Sequence, residues 1–411
     1  MMRRAFVVLA TLATFGFPAD SARAESRYSL RGYGEPVFPA PADVRALGAA
    51  EAASRIPTLS GNPASLALAD RVRFTGSYFS EWVKTEELQT DLSVRDRQEY
   101  NHAISNLGLI YPLPRNFALA TGLLVSRRRG GQIEQTAMTP DGVSYLQQYE
   151  ADGNLLRVPL LAAWKGDYFE VGFGPDLVLF NGRDRWENSF DSGLEIRDSN
   201  DLDKRTLFGA SWRGGVRVPL DRWGAIGVWG SLPQEVKGDR VLENDDPSDD
   251  SDDLTLSVAA DLPATVSFGI EATPHADLRL LADWTRESWS EVEAGEILDP
   301  LTDVDRLAVG VEWTWRRASG LTLPVRGGFR TENLHFLDAR GEEVQETTLS
   351  VGSGVGFAGG RGQFDWFLEY GWRGDSAETE FGETFYRFGL SLAGFESWTR
   401  RRPPEAEEDD W

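Results

Sequence analysis

The sequence predicts an all-β fold: a closed antiparallel transmembrane β-barrel of about fourteen strands, with an N-terminal segment plugging its lumen. Three observations lead there. Apolar residues recur with a period of two in segment after segment. The connections between these segments alternate between very short and long. After an N-terminal apolar run, no stretch approaches the roughly 18 consecutive apolar residues of a membrane helix.

The stretch Asp305 to Arg316, DRLAVGVEWTWR, shows the first observation most clearly. Leu307, Val309, Val311, Trp313 and Trp315 fall in one column. Arg306, Ala308, Gly310, Glu312, Thr314 and Arg316 fall in the other. Side chains alternate across a strand, so this is a strand with an oily face and a small or charged face. Val266, Phe268 and Ile270 repeat the pattern, as do Phe364 to Trp372 and Tyr386 to Leu392.

Taken in order, the chain begins with Arg3 and Arg4 ahead of an apolar run from Ala5 to Phe17, closed by Ala22-Arg23-Ala24. That is the form of a removable secretory signal, residues 1–24. Residues 25–70 show no alternation. Their Gly, Pro and Ala content reads as loop with a short helix near Pro41, ending in Asn62-Pro63-Ala64, where Asn-Pro favours a turn. Strand-like segments then run over 71–84, 98–112, 115–128, 153–164, 167–180, 204–219, 223–237, 254–273, 276–292, 303–317, 321–336, 344–358, 362–374 and 383–398. A charged tail, 399–411, follows the barrel region 71–398.

The connections sort by length. Leu113-Pro114, Gly166, Leu220–Arg222, Pro274-His275, Ala318–Gly320 and Gly359–Arg361 are minimal, whereas 85–97, 129–152, 181–203, 238–253 and 293–302 are long and polar. All the short turns therefore lie at one end, as in outer-membrane barrels with short periplasmic turns and long external loops. A soluble sandwich gives the same alternation but no such sorting. In a bilayer every backbone group must be paired internally, so only helices and closed barrels cross it.

Composition excludes several functions. The net charge of −23 is incompatible with holding nucleic acid through phosphates. There is no cysteine, which removes disulfides and thiolate metal sites. Fourteen Trp against three His favours interfacial aromatics over acid–base chemistry. His102, His275 and His335 are too scattered for a metal site, and an outer-membrane hydrolase would need a serine beside one of them. No catalytic residue and no cofactor is expected. Fourteen strands leave a lumen between the filled eight-stranded and the open sixteen-stranded cases. The inward columns are small or charged, so ion pairs and residues 25–70 are the expected filling.

Other candidates come with a bland counterpart. Pro159 and Pro175 fall inside adjacent strands, where proline donates no ladder bond. They mark either a gap for lateral exit or two ordinary bulges. Arg127-Arg128-Arg129 stands where the third strand meets its external loop, as an anion- or lipid-holding rim or a row of snorkelling side chains. Glu243–Asp253, ENDDPSDDSDD, holds seven carboxylates in eleven residues. Asp249, Asp250, Asp252 and Asp253 are its weak candidates for a divalent ion, against a solvated acidic loop.

Asn62-Pro63-Ala64, the fourteen strands, Leu262 to Gly269 (LPATVSFG), Asp283-Trp284-Thr285 and Trp289-Ser290 together resemble the FadL family of outer-membrane transporters for long-chain fatty acids and other hydrophobic compounds. The resemblance covers most of the chain after residue 24. It implies an N-terminal hatch inside the barrel, with Asn62-Pro63-Ala64 at the hatch junction. It also implies passive uptake of apolar molecules, escape sideways through the wall, and location in a Gram-negative outer membrane. The implied partners are membrane lipid, lipopolysaccharide and a hydrophobic cargo, with the chain a monomer. Similar barrels assist secretion systems, so a structural or secretion-accessory barrel is the alternative.

Overall fold

The computed structural model describes residues 26–88, 94–139, 141–190, 198–244, 253–292, 300–316, 322–338, 340–379 and 381–396. The signal segment, Asp249, Asp250, Asp252 and the C-terminal tail lie outside these residues.

Fourteen antiparallel strands close into a barrel. They are β1 (Val72–Leu88), β2 (Val94–Leu113), β3 (Phe117–Met138), β4 (Ser144–Lys165), β5 (Glu170–Phe190) and β6 (Ser199–Pro219). β7 is interrupted at Leu232-Pro233 (Gly224–Ser231 and Gln234–Asn244), and β8 at Pro263-Ala264 (Leu254–Leu262 and Thr265–His275). β9 (Leu278–Glu287), β10 (Val304–Arg316), β11 (Thr322–Leu337), β12 (Glu343–Phe357), β13 (Gly362–Arg373) and β14 (Phe381–Glu396) complete the wall. Closure runs from Phe381↔Glu87 to Glu396↔Val72, so β14 pairs with β1 along its whole length.

The oily columns face outward. On β10, Leu307, Val309, Val311, Trp313 and Trp315 are exposed while Ala308 and Glu312 are buried. The opposite arrangement, with oily columns meeting across a sandwich, is thereby excluded. The short turns need unusual backbone: Arg115, Asn116, Asp221 and Ala358 all have positive φ, the left-handed region that tight turns demand.

Several strands are longer than their alternation indicates. β3 and β4 each have 22 residues, against 10 in β9. Since nine to eleven tilted residues cross a bilayer, β3–β6 stand well above it. Residues 129–152, expected as a loop, are the outer halves of β3 and β4, joined by the turn around Thr139–Val143. There both faces are wet, so nothing in the sequence forces a period of two.

Residues Ser26–Asp70 occupy the interior. They comprise a 3-10 turn (Arg27–Leu30), a two-residue strand (Glu35–Pro36), the single-turn helix α1 (Ala42–Arg45) and a second 3-10 helix (Pro63–Leu68). Their contacts reach strands around the circumference: Ala42 N donates to Ser391 Oγ of β14, Ala52 N to Asp283 of β9, and Asn62 Nδ2 to Val216 O of β6.

Candidate functional site

The interior segment is seated against glycines. A Cβ on Gly227 would lie 1.8 Å from Ala52 O, and one on Gly215 would lie 2.2 Å from Asn62 Oδ1. Gly172, Gly310, Gly328 and Gly352 receive Pro63, Leu47, Gly48 and Ala46 in the same way. Any side chain at Gly227 would push backbone off backbone, so the small inward column is a docking surface and not spare space. Asn62 is fully enclosed here. Its Nδ2 donates to Ala52 O (2.7 Å) and Val216 O (3.1 Å), and its Oδ1 accepts from Ala64 N (3.0 Å). Pro63 opens the 3-10 helix that leads to β1, where its missing N–H costs nothing. Asn62, Pro63 and Ala64 thus lie together on the inner face of β5–β7. Glu51 lies in the same segment, with Thr58 and Ser60 hydroxyls donating to its Oε1. Burial pushes its carboxyl above the ordinary value, and those hydroxyls and Arg213 work in the other direction.

One side of the lumen is ionic. Arg373, fully buried, contacts Glu35 (2.7 Å), Glu346 (2.5 Å), Glu383 (3.1 Å) and Glu81 (3.5 Å). Arg387 joins Glu81 and Glu346, while Arg45 of α1 holds Glu369 through two bonds. Arg326 links Glu312 to Asp365. Charges this deep persist only when paired and hydrogen-bonded, and this network fixes α1 to β12–β14.

At the level of Leu155 and Phe180 the other side is apolar, with the pair Arg129–Asp184 above it and Arg213–Asp176 and Arg217–Glu170 below. Leu155, Val178, Phe180, Leu207, Val236 and Leu262 project inward from β4–β8 and meet Tyr33 of the interior segment, Trp289 and Val304. The Tyr33 ring lies 5.4 Å from Phe180 and 5.7 Å from Trp289. Trp289 donates to Glu287 (2.9 Å), which also holds Arg127, and the Arg127 guanidinium lies 4.6 Å from the Trp289 ring. Arg157 points inward from β4 between Leu124 of β3 and Val178 of β5, near Arg127 and Glu287. Its Nε is buried without a hydrogen-bond partner. The cluster therefore offers aromatic and aliphatic surface with one under-satisfied cation at its rim.

The wall beside this cluster is incompletely stitched. β2 and β3 pair only from Leu113↔Phe117 to Asn106↔Leu124. Above that level, among the described residues, β2 pairs with β1 and β3 with β4. Bulges stand on both sides of the divergence, at Ser105 on β2 and Ser126 on β3. Bulges bend a strand and raise its twist, and two at one level carry the strands apart. The edge freed on β3 is taken by the interior segment: Glu35↔Arg128 and Pro36↔Arg127 pair antiparallel, and Val37 N donates to Ser126 O (2.9 Å). Val37, Phe79, Ala103 and Val125 line the inner side of this seam; Tyr100, Ile104 and Leu107 are exposed outside it.

The residues singled out from sequence fall as follows. Pro159 pairs with Asp176 and Pro175 with Trp212, and the β4–β5 register is the same on both sides. Only the two rungs between Pro159↔Asp176 and Ala162↔Phe173 are missing, a smaller break than the β2–β3 seam. Arg127-Arg128-Arg129 is not at a junction with an external loop, because β3 continues to Met138. The Ser126 bulge turns Arg127 and Arg129 inward, where Arg127 meets Glu287 and Arg129 meets Asp184; Arg128 reaches across the seam. His102 is exposed on β2, His275 ends β8, and His335 is buried against Arg127 (3.0 Å) and Trp289. Asp253 is exposed just before β8, and no group of three or more His, Asp or Glu among the described residues is placed to hold a metal. Sequence reading missed Tyr33, Arg157 and Trp289 as lumen residues. For the inward turn of Arg127 and Arg129 a signal was available: the parity switch from Leu119 and Leu123, since odd positions cannot face lipid in both pairs.

No family model matches the chain, and no curated protein matches it by sequence. Solved structures do match. The monoaromatic hydrocarbon channel CymD has 15% identity over 88% of this chain and 99% of its own, with a TM-score of 0.60. The toluene transporter TodX of Pseudomonas putida has 14% identity, 90% and 100% coverage and a TM-score of 0.58. A FadL homologue of Pseudomonas aeruginosa has 12% identity, 91% and 99% coverage and a TM-score of 0.56. The chain is a closed antiparallel β-barrel. Its fold is that of the FadL-type hydrocarbon transporters.

Proposed function

We propose that the chain is an outer-membrane channel that admits hydrophobic small molecules by diffusion. Cargo lodges against Tyr33, Phe180, Leu207 and Trp289 and leaves sideways through the β2–β3 seam, in preference to Pro159 and Pro175. The observation that carries this reading is the apolar cluster lying one strand from an unpaired stretch of wall. The signal segment and the outward oily belt support the location, with lipid and lipopolysaccharide around a monomer. Arg157 supports an amphiphilic cargo with an anionic head, such as a long-chain fatty acid, over a pure hydrocarbon. No catalytic group enters this reading.

The test is transfer of a fluorescent fatty acid and of its methyl ester across vesicles carrying the purified protein. Both should move faster than across protein-free vesicles. Leu207→Trp, which overfills the cluster, should slow both. Arg157→Gln should weaken retention of the acid about tenfold and spare the ester, as expected for loss of one charge-assisted contact. Equal rates with and without protein would end the proposal. The ionic side of the lumen favours a second reading, a structural or secretion-accessory barrel, which gives that null result.

A further inference from the structure

Where β2 leaves β3, what crosses the gap is side chain and not ladder. On the β3 side, the backbone of Ser126–Arg128 is engaged by residues 35–37. On the β2 side, the Arg128 guanidinium donates to His102 O (3.1 Å) and to Asn101 Oδ1. Arg97 makes the next crossing above, donating to Gln132 O (3.2 Å). Apolar residues stand on both sides of the Arg128 crossing: Val37, Phe79, Ala103 and Val125 inside, Tyr100, Ile104 and Leu107 outside. A molecule passing between these two apolar surfaces must break the Arg128 bonds and need not break a backbone rung.

We infer that Arg128 is the bar across a lateral door: it holds β2 to β3 between passages and sets the rate of release. This rests on the reading that cargo leaves through this seam, and it concerns release, not lodging. Arg128 is therefore a positioning residue, and its loss should move the rate while leaving affinity alone.

The experiment uses the full barrel in vesicles with cis-parinaric acid as probe. Equilibrium binding is read from energy transfer from tryptophan, and release from its decay into acceptor vesicles. Arg128→Met keeps the bulk and removes the donors; release should be about tenfold faster, from loss of the charge-assisted bonds to His102 and Asn101, with unchanged affinity. Arg128→Lys should fall between this variant and the parent. Asn101→Ala, which removes one acceptor and leaves Arg128 in place, should accelerate release about threefold and covers the case in which Arg128→Met does not fold. In the parent background, Ala103→Cys with Val125→Cys, joined by a short bifunctional thiol reagent, should stop release and preserve binding; the chain has no other cysteine. If the cross-link stops release but the Arg128 and Asn101 variants release at the parent rate, the bar is wrong and the seam stands. If the cross-linked protein releases normally, both fall.

Discussion

At the level of Leu155 and Phe180 the two sides of the lumen are filled by opposite chemistry. Around β12–β14 and β1, arginines and carboxylates from the wall and the interior segment form a buried network centred on Arg373 and Arg387. Around β4–β8, at the level of Leu155 and Phe180, the filling is aliphatic and aromatic. Both exclude water, but they respond differently to disturbance. An ion network is directional: removing one member strands the others in low dielectric. An apolar cluster is non-directional, and a hydrophobic molecule can replace what was removed. The interior segment is held by charge on the first side and by glycine seats on β5–β7, and under the proposed function cargo lodges at the apolar cluster between them.

The sharpest way to break this comparison is Arg373→Met. It leaves Glu35, Glu81, Glu346 and Glu383 without their shared cation. A loss of about 4 kcal/mol is expected, read as a lower urea midpoint in micelles, and added cargo should raise this variant's stability by no more than it raises the parent's. Leu207→Ala on the apolar side should cost about 3 kcal/mol. Here cargo, which can fill the space left by the side chain, should return more than the about 2.7 kcal/mol that it gives the parent at a hundred times its dissociation constant. If cargo rescues both variants equally, the division of the lumen has no functional meaning. Gly227→Ala should cost about 2 kcal/mol through backbone displacement, and should raise the leak of small polar solutes, because Ala52 can no longer seat.

The smallest effect concerns Glu51. Burial raises its carboxyl above the ordinary 4.5. Between the unfolded and the raised folded value the native state binds more protons, so this group's contribution to stability falls as pH rises through that window. Glu51→Gln keeps an acceptor for Thr58 and Ser60 and removes the charge. It should leave the barrel as stable as the parent below that window and more stable above it. Urea midpoints at pH 4 and pH 8 would show this, and a parallel shift of both chains would contradict it.

How much of this was legible in the sequence depends on what each residue faces. Strands were readable where one face meets lipid, as in Leu307 to Trp315, because only there is an oily column required. Arg129–Met138 and Ser144–Asp152 belong to strands with wet surroundings, so their polar sequence gave no sign of pairing. The apolar lumen residues Phe180 and Leu207 were inside recognised strands, but inward apolar residues look like any others until their neighbours are known. The ionic side was more open to reading: Arg326, Arg330, Arg373, Arg387, Glu312 and Glu369 stand on the polar parity of clear strands. The seam was encoded in Ser105-Asn106 and Leu124–Arg127, where burial falls on consecutive residues or shifts parity. Prolines drew attention to β4 and β5, yet the same register continues beyond them, so a missing donor there does not divert the strands.

The short strand Glu35–Pro36 has a consequence for how such a chain can be built. It completes an edge of β3 that no other strand reaches among the described residues. A ring closed by β14 and β1 before that segment had moved inside would present an unfinished margin to the bilayer, where bare amides are costly. The leading residues are therefore a piece of the wall as well as its filling: a chain cut back past Val37 would leave the Ser126–Arg128 margin unlined.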